Sequence, residues 1–479
     1  MTYSIFFWLN RNRFRLYFYR KFETGFVNNI IFSNLERGSP MKKVVGLIMS
    51  LVLLFGVLAG CSNTETSGDA KSDKKKDVDL KVWSFTDELK KPITTFEEKN
   101  GVKVELTIVP IADYPTKLKP VLESGVGAPD VFTGEIAFLK QWVNAGYWEN
   151  LSKEPYNVNE IADNYVPYVF DLGKDEQGDV RALSWQTTPG GLFYKRSIAK
   201  EVLGTDDPKE IGEMLTSMDK VFEVSEKMKE KGYRMFPDEG SIRWFSQGDD
   251  PQPWVNENDE LKLTDQKIEF LDYAKQLREN SYTALAPEWS PSWFEAMDKP
   301  IKVKEKGKET ETEVFSYVLP TWGLHSVLKT NVKESDGDWA VTSGPSPYFW
   351  GGTWLGVYNK SENKELAYDF VKMMTQDDEF LTDWAKETGD VLSYLPVTNE
   401  IKDDFSDEFL GGQNNYQFFL DQAKSIEPGI VTKYDQQLDT FYGNAVQEYV
   451  DGKKSKDEAI AEFYKKAQNA YPELKVPKK

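Results

Sequence analysis

The chain has 479 residues, with 59 Lys and Arg against 78 Asp and Glu and a net charge of −19. Such a balance repels nucleic acid and anionic lipid headgroups, so neither is expected as a partner. The single cysteine, Cys61, excludes an intramolecular disulfide, and the single histidine, His325, excludes a His-rich metal site and argues against a His-based catalytic triad. The plain reading of His325 is a hydrogen-bonded or exposed side chain near a loop.

Residues 1–40 scatter basic and acidic side chains among aromatics with no period. The segment behind them makes them redundant. Met41 is followed by Lys42 and Lys43, then by an uncharged apolar run from Val44 to Ala59 that ends in Leu58-Ala59-Gly60-Cys61. A positive head, a short apolar centre and small residues before a cut define a signal peptide over 41–60, too short to span a bilayer comfortably. Translation is therefore expected to start at Met41, with residues 1–40 upstream of the true start; a long basic signal extension is the alternative.

The tetrad resembles the bacterial lipobox, which implies that Cys61 is diacylated and becomes the mature N-terminus. Two acyl chains give a stable anchor where one gives a reversible one. Residues 1–60 hold eight Lys/Arg and two Asp/Glu, so the chain from Cys61 carries 51 basic and 76 acidic residues, a net charge of −25. Residues 61–78 read as the lipidated cysteine and a solvated tether.

Ordered structure is expected from Val78. Leu80, Val82 and Phe85 lie close to alternation and predict a strand; Leu89, Ile93 and Phe96 then share a helix face closed at Asn100-Gly101. Val102, Val104, Leu106 and Ile108 alternate as a second strand, and Pro129 to Phe132 suggests a short third. Phe138, Leu139, Trp142 and Val143 follow on a helix closed by Gly146. Alternating strands and helices predict a largely parallel sheet covered on both faces. Further helices are expected over 218–231, 268–279 and 365–374, the last after a possible cap at Asn363, and the charged stretch 301–312 reads as an exposed loop or hairpin. The roughly 400 residues after the tether exceed one usual core and point to two lobes.

Several segments resemble the solute-binding lipoproteins of carbohydrate ABC importers, family 1. They are Val82-Trp83-Ser84-Phe85, Gly127-Ala128-Pro129-Asp130-Val131-Phe132, Trp185 with Gly190 to Lys195, Val318 to Gly323, and the stretch from Asp338 to Val371. In order, they span most of residues 79–400. The resemblance implies an α/β, two-lobed fold of the periplasmic-binding-protein type II, with three hinge crossings and a ligand cleft between the lobes. It places lobe 1 at 79–188 and 343–395, and lobe 2 at 189–342 and 396–479. Crossings are expected near 187–190, 341–345 and 395–396.

It also implies a carbohydrate ligand, permease subunits of an ABC importer as partners, no cofactor, and a monomer tethered to the extracellular face of a Gram-positive cell membrane through acylated Cys61. A sugar presents an apolar C–H face and a rim of hydroxyls, so its site needs aromatic platforms and short polar or carboxylate side chains. Thirteen tryptophans follow Cys61. Trp142, Trp148, Trp339 and Trp384 fall in apolar stripes or structural turns and are assigned to packing.

The ligand candidates sit beside Gly, Pro or Ser, or at strand ends: Trp83 with Asp87, Glu135, Trp185, Trp244, Trp322, Trp350, Trp354 and Tyr394. Trp322, in Pro-Thr-Trp-Gly, resembles the stacking position of maltodextrin-binding proteins. Each has a plainer reading as core or rim packing. Two rival functions use similar residues. A secreted glycosidase needs a carboxylate pair, and a polyamine-binding protein needs acidic and aromatic side chains. Asn256 to Glu260 and Asp336-Gly337-Asp338 lack the full calcium-loop pattern and read as turns.

Overall fold

Leu80, Val82 and Ser84 turn inward while Lys81 and Trp83 stay half-buried, the alternation of a strand at the centre of a sheet. Counted from the N-terminus, this strand is β4 (Leu80–Ser84). The computed structural model describes residues 3–10, 13–22, 25–26, 78–247, 253–305, 307–333, 337–426 and 431–477. The strands β1 (Tyr3–Asn10), β2 (Arg13–Phe22) and β3 (Gly25–Phe26) form an antiparallel meander in a unit of their own, residues 1–74. The expected signal peptide and Cys61 lie outside the described residues, as does nearly all of the tether. Among the described residues no helix is long and apolar enough to cross a membrane.

Residues 75–479 make the second unit, which contains two main sheets. In the first, β4 pairs in parallel with β5 (Val104–Ile108) and with β6 (Val131–Glu135). The connection between β4 and β5 is the helix Lys90–Asn100, which buries Ile93 and Phe96 and stops at Gly101, whose φ of 66° suits glycine. A second helix, Tyr114–Ser124, joins β5 to β6 and buries Tyr114, Leu118 and Leu122.

The sheet is completed by β13 (Thr353–Val357), antiparallel to β6, and by the short β7 (Leu183–Ser184) beyond it. The expected parallel order therefore holds only for β5, β4 and β6. Parallel neighbours need a crossover within one sheet; β13 arrives instead from the second sheet, and its direction is set by that return. Gly134 on β6 and Gly356 on β13 leave a groove for Trp148, since a Cβ at either would come within 2.7 Å and 2.3 Å of the indole. Trp148 lies there stacked on Phe132 at 4.9 Å.

In the second sheet, β8 (Gly190–Lys195) runs between β11 (Ser316–Pro320) and β12 (Trp339–Thr342), antiparallel to both, with all six of its residues buried. The charged stretch 301–312 is a hairpin of β9 (Ile301–Glu305) and β10 (Lys308–Thr312). The chain passes from the first sheet to the second between Ser184 and Gly190, and back between Thr342 and Thr353. The late helix Asp435–Val450 packs on Asp265–Glu279, where Tyr442 meets Phe270 at 6.1 Å, and on the last helix, Lys456–Ala470, where Tyr442 meets Phe463 at 6.2 Å.

Candidate functional site

Where the chain passes between the sheets, backbone hydrogen bonds hold together segments far apart in sequence. Thr321, just after β11, donates its N–H to Pro189 O at 3.1 Å and its hydroxyl to Thr187 O at 2.8 Å. Trp350 donates its N–H to Thr188 O at 3.1 Å, and the Thr188 hydroxyl donates to Gly351 O at 3.1 Å. Trp322 and Trp350 are thereby fixed to one scaffold, and the Trp322 indole N–H donates to Trp350 O at 3.0 Å. A Cβ at Gly351 would lie 3.0 Å from that indole nitrogen, and φ there is +75°, so glycine permits the approach.

Four indoles meet at this scaffold. Trp350 packs against Trp244 at 4.8 Å, stacked, and against Trp322 at 5.3 Å, edge-on. Trp289 lies parallel to Trp322 at 6.3 Å and edge-on to Trp350 at 6.0 Å. Trp289 was not among the expected residues, although Pro287-Glu288-Trp289-Ser290-Pro291 meets the same criterion of a tryptophan beside Pro and Ser. Its backbone is left-handed, with φ +64°. The turn is closed by Ser290 N–H donating to Pro287 O, and the Ser290 hydroxyl then caps the helix Pro291–Asp298. Trp289 is 46% exposed.

Charge surrounds the rings. The Arg243 guanidinium lies 4.5 Å from the Trp244 ring centre and 5.1 Å from that of Trp350, and forms a fork with both oxygens of Glu288. Buried Asp238 is pushed up to about 7 by loss of water and by Glu288, with Arg243 opposing. Glu135 ends β6 and caps the helix Ile136–Val143, accepting the Ala137 N–H at 2.8 Å. Burial raises its carboxyl to about 7, against that cap bond and with help from Asp439. Asp439, on Asp435–Val450, keeps an exposed side, yet loss of water raises its carboxyl to about 6, while Lys267, the Trp254 indole at 2.8 Å and Arg243 pull the other way. Asp435 beside it is likewise raised by burial to about 7. Arg243 thus carries its charge toward both Glu288 and Asp439.

The structure brings together Trp244, Trp322 and Trp350 of the expected residues, links Glu135 to them through Asp439 and Arg243, and sets the others apart. Trp83 is half-buried beside a separate cluster, its carbonyl accepting from the Tyr114 hydroxyl. Asp87 is exposed and paired with Lys90 at 2.8 Å. Trp185 is fully buried in the core, and Trp354 is 2% exposed with its indole donating to Val169 O. Tyr394 rests edge-on against Tyr165 at 5.5 Å. Trp142, Trp148, Trp339 and Trp384 are all buried, as packing residues should be.

Among the described residues, one group has the donors and spacing to hold a metal ion: Glu88, His325 and Asp390, with one ligand atom from each lying within 4.8 Å of the others.

Residues 91–410 match the family described as bacterial extracellular solute-binding protein. The chain belongs to that family and is the extracellular solute-binding component of an ABC transporter. It is 28% identical over 305 residues to the manganese ABC transporter substrate-binding lipoprotein scaA of Streptococcus gordonii, covering 58% of this chain and 90% of that protein. It is 27% identical over 331 residues to the metal ABC transporter substrate-binding lipoprotein SsaB of Streptococcus sanguinis, covering 62% and 99%.

Among solved structures, an extracellular solute-binding protein of family 1 matches with a TM-score of 0.68 at 16% identity, covering 82% of this chain and all of that one. A binding protein from B. animalis subsp. lactis in complex with β-1,6-galactobiose matches at 0.64 and 20% identity, covering 84% and 100%. Lmo0181 of Listeria monocytogenes, in complex with cycloalternan, matches at 0.63 and 15%, covering 83% and 99%. Their common ground with this chain is the two-lobed solute-binding fold.

Proposed function

We propose that the solute is a carbohydrate of two or more units, captured between the lobes and delivered unchanged to the permease. The observation that carries this reading is the group of four indoles, Trp244, Trp289, Trp322 and Trp350, bordered by the Arg243–Glu288 fork. Indole faces match the C–H faces of sugar rings, and carboxylates and guanidinium match their hydroxyls; several rings exceed what a single sugar needs. Glu135 and Asp439 supply further acceptors. Trp185 and Trp354 are left to packing. The sugar ligands of the structural neighbours support the same reading.

In this reading the segments around 187–190, 341–345 and 395–396 act as hinges, and the lobes follow the boundaries given above. Cys61 carries the lipid anchor, as the lipoprotein relatives suggest, and the protein works as a monomer without catalysis. A metal ion as the transported solute is the second reading, favoured by the names of those relatives. Calorimetric titration of the tether-free protein with a sugar length series, spermidine and Mn2+ separates the readings. Carbohydrate is expected to bind with affinity rising beyond one ring, to be recovered intact, and to reduce the radius of gyration in scattering. Binding of Mn2+ or spermidine with no response to any sugar would overturn it.

A further inference from the structure

We propose that Glu88, His325 and Asp390 form a site for a divalent first-row metal ion that joins the loop after β4 to the helical segment after β11. Glu88 follows β4 in the first sheet, His325 lies five residues beyond the end of β11 in the second, and Asp390 follows the helix Asp378–Thr388. Three distant segments thus converge on one point. His325 Nε2 is hydrogen-bonded to Glu88 Oε1 at 3.2 Å, a shared proton that an ion would replace. Metal–ligand bonds of about 2.0–2.2 Å set neighbouring donors roughly 3–3.5 Å apart, so this pair already has the edge length of a coordination polyhedron.

A second observation concerns two of the same residues. Asp390 is fully buried; its Oδ2 accepts from the Gln186 amide at 3.3 Å and the Trp384 indole at 3.4 Å, yet its Oδ1 has no hydrogen-bond partner. The buried His325 Nδ1 has none either. An imidazolium would leave its Nδ1–H buried without an acceptor, since that atom has no partner. Lys329, the nearby cation, is engaged by Asp407 at 2.7 Å. Two carboxylates and a neutral imidazole balance a 2+ charge, and Gln186 and Trp384 orient the Asp390 carboxylate as outer-shell partners do. Glu88 and His325 retain partial exposure, which gives an ion a way in.

The test uses the full chain, stripped with chelator and titrated with ZnCl2 alone, with no carbohydrate in any arm, so failure here leaves the carbohydrate reading standing. Elemental analysis after dialysis should find one Zn2+ per chain, and the melting temperature should rise. Glu88→Gln and His325→Gln, each checked for native circular dichroism, should weaken Zn2+ binding by more than about tenfold, since outer-shell losses alone cost about that much. Co2+ should shift imidazole proton resonances, and His325 is the single histidine able to produce them. Absence of stoichiometric Zn2+, or equal affinity in wild type and both variants, overturns the proposal.

Discussion

Trp289 and Trp322 face each other with ring planes 10° apart and centres 6.3 Å apart, although one is 46% exposed and the other is fixed to the Trp350 carbonyl. A rigid indole beside an accessible one leaves a face that a ligand ring can cover. Trp289→Ala is therefore expected to weaken carbohydrate binding with little loss of stability. Its φ of +64° adds a separate signature: Trp289→Gly should be about 1 kcal/mol more stable than Trp289→Ala, because only glycine adopts that backbone without strain. Urea unfolding of both variants measures the difference.

Trp322→Ala removes a ring that also hydrogen-bonds the scaffold. As a central anchor it should cost about 2 kcal/mol or more in affinity. Calorimetry against the sugar length series reads this directly, and wild-type affinity in the variant would remove Trp322 from the site.

Trp142 provides the contrast. It is 1% exposed, edge-on to both Phe132 and Phe138. Trp142→Ala should lower stability by about 3–5 kcal/mol, the usual cost of emptying a buried aromatic position, while the folded fraction binds sugar as wild type does.

Loss of water raises the carboxyls of Glu135, Asp238 and Asp435 to about 7 and that of Asp439 to about 6. A folded-state value above the unfolded one means that the folded chain holds protons the unfolded chain has released. Their contribution is therefore fully present below the unfolded value near 4 and is lost as pH rises through 6–7. The urea midpoint is expected to be higher at pH 5.5 than at pH 8, and Asp238→Asn, at the most buried of the four carboxyls, should shrink that difference. A midpoint that rises toward pH 8 would contradict the loss of water around these carboxyls.

Cys61→Ser tests the anchor. The substitution lies outside the unit that contains both main sheets, so the variant should fold and bind normally while losing its lipid and its retention on membranes. Fractionation with mass spectrometry of the N-terminal peptide distinguishes the two states.

By itself the sequence determined whatever depends on neighbours a few residues away. Alternation at Leu80 and Val82, the spacing of Leu89, Ile93 and Phe96, and the stop at Gly101 place β4 and its helix to within a residue or two, because strand and helix periods are local. Ordered motifs also carried the family. The tertiary structure alone decided the direction of β13, which depends on a return from the other sheet. It also decided which tryptophans are covered. Trp185 and Trp354 follow the same local rule as Trp322 and Trp350, yet core residues distant in the chain close over the first two. Trp289 joins the aromatic group, and Glu88, His325 and Asp390 meet, through contacts that span up to hundreds of residues. No short-range pattern encodes such contacts, since the partner of each side chain is set by how the sheets and helices pack.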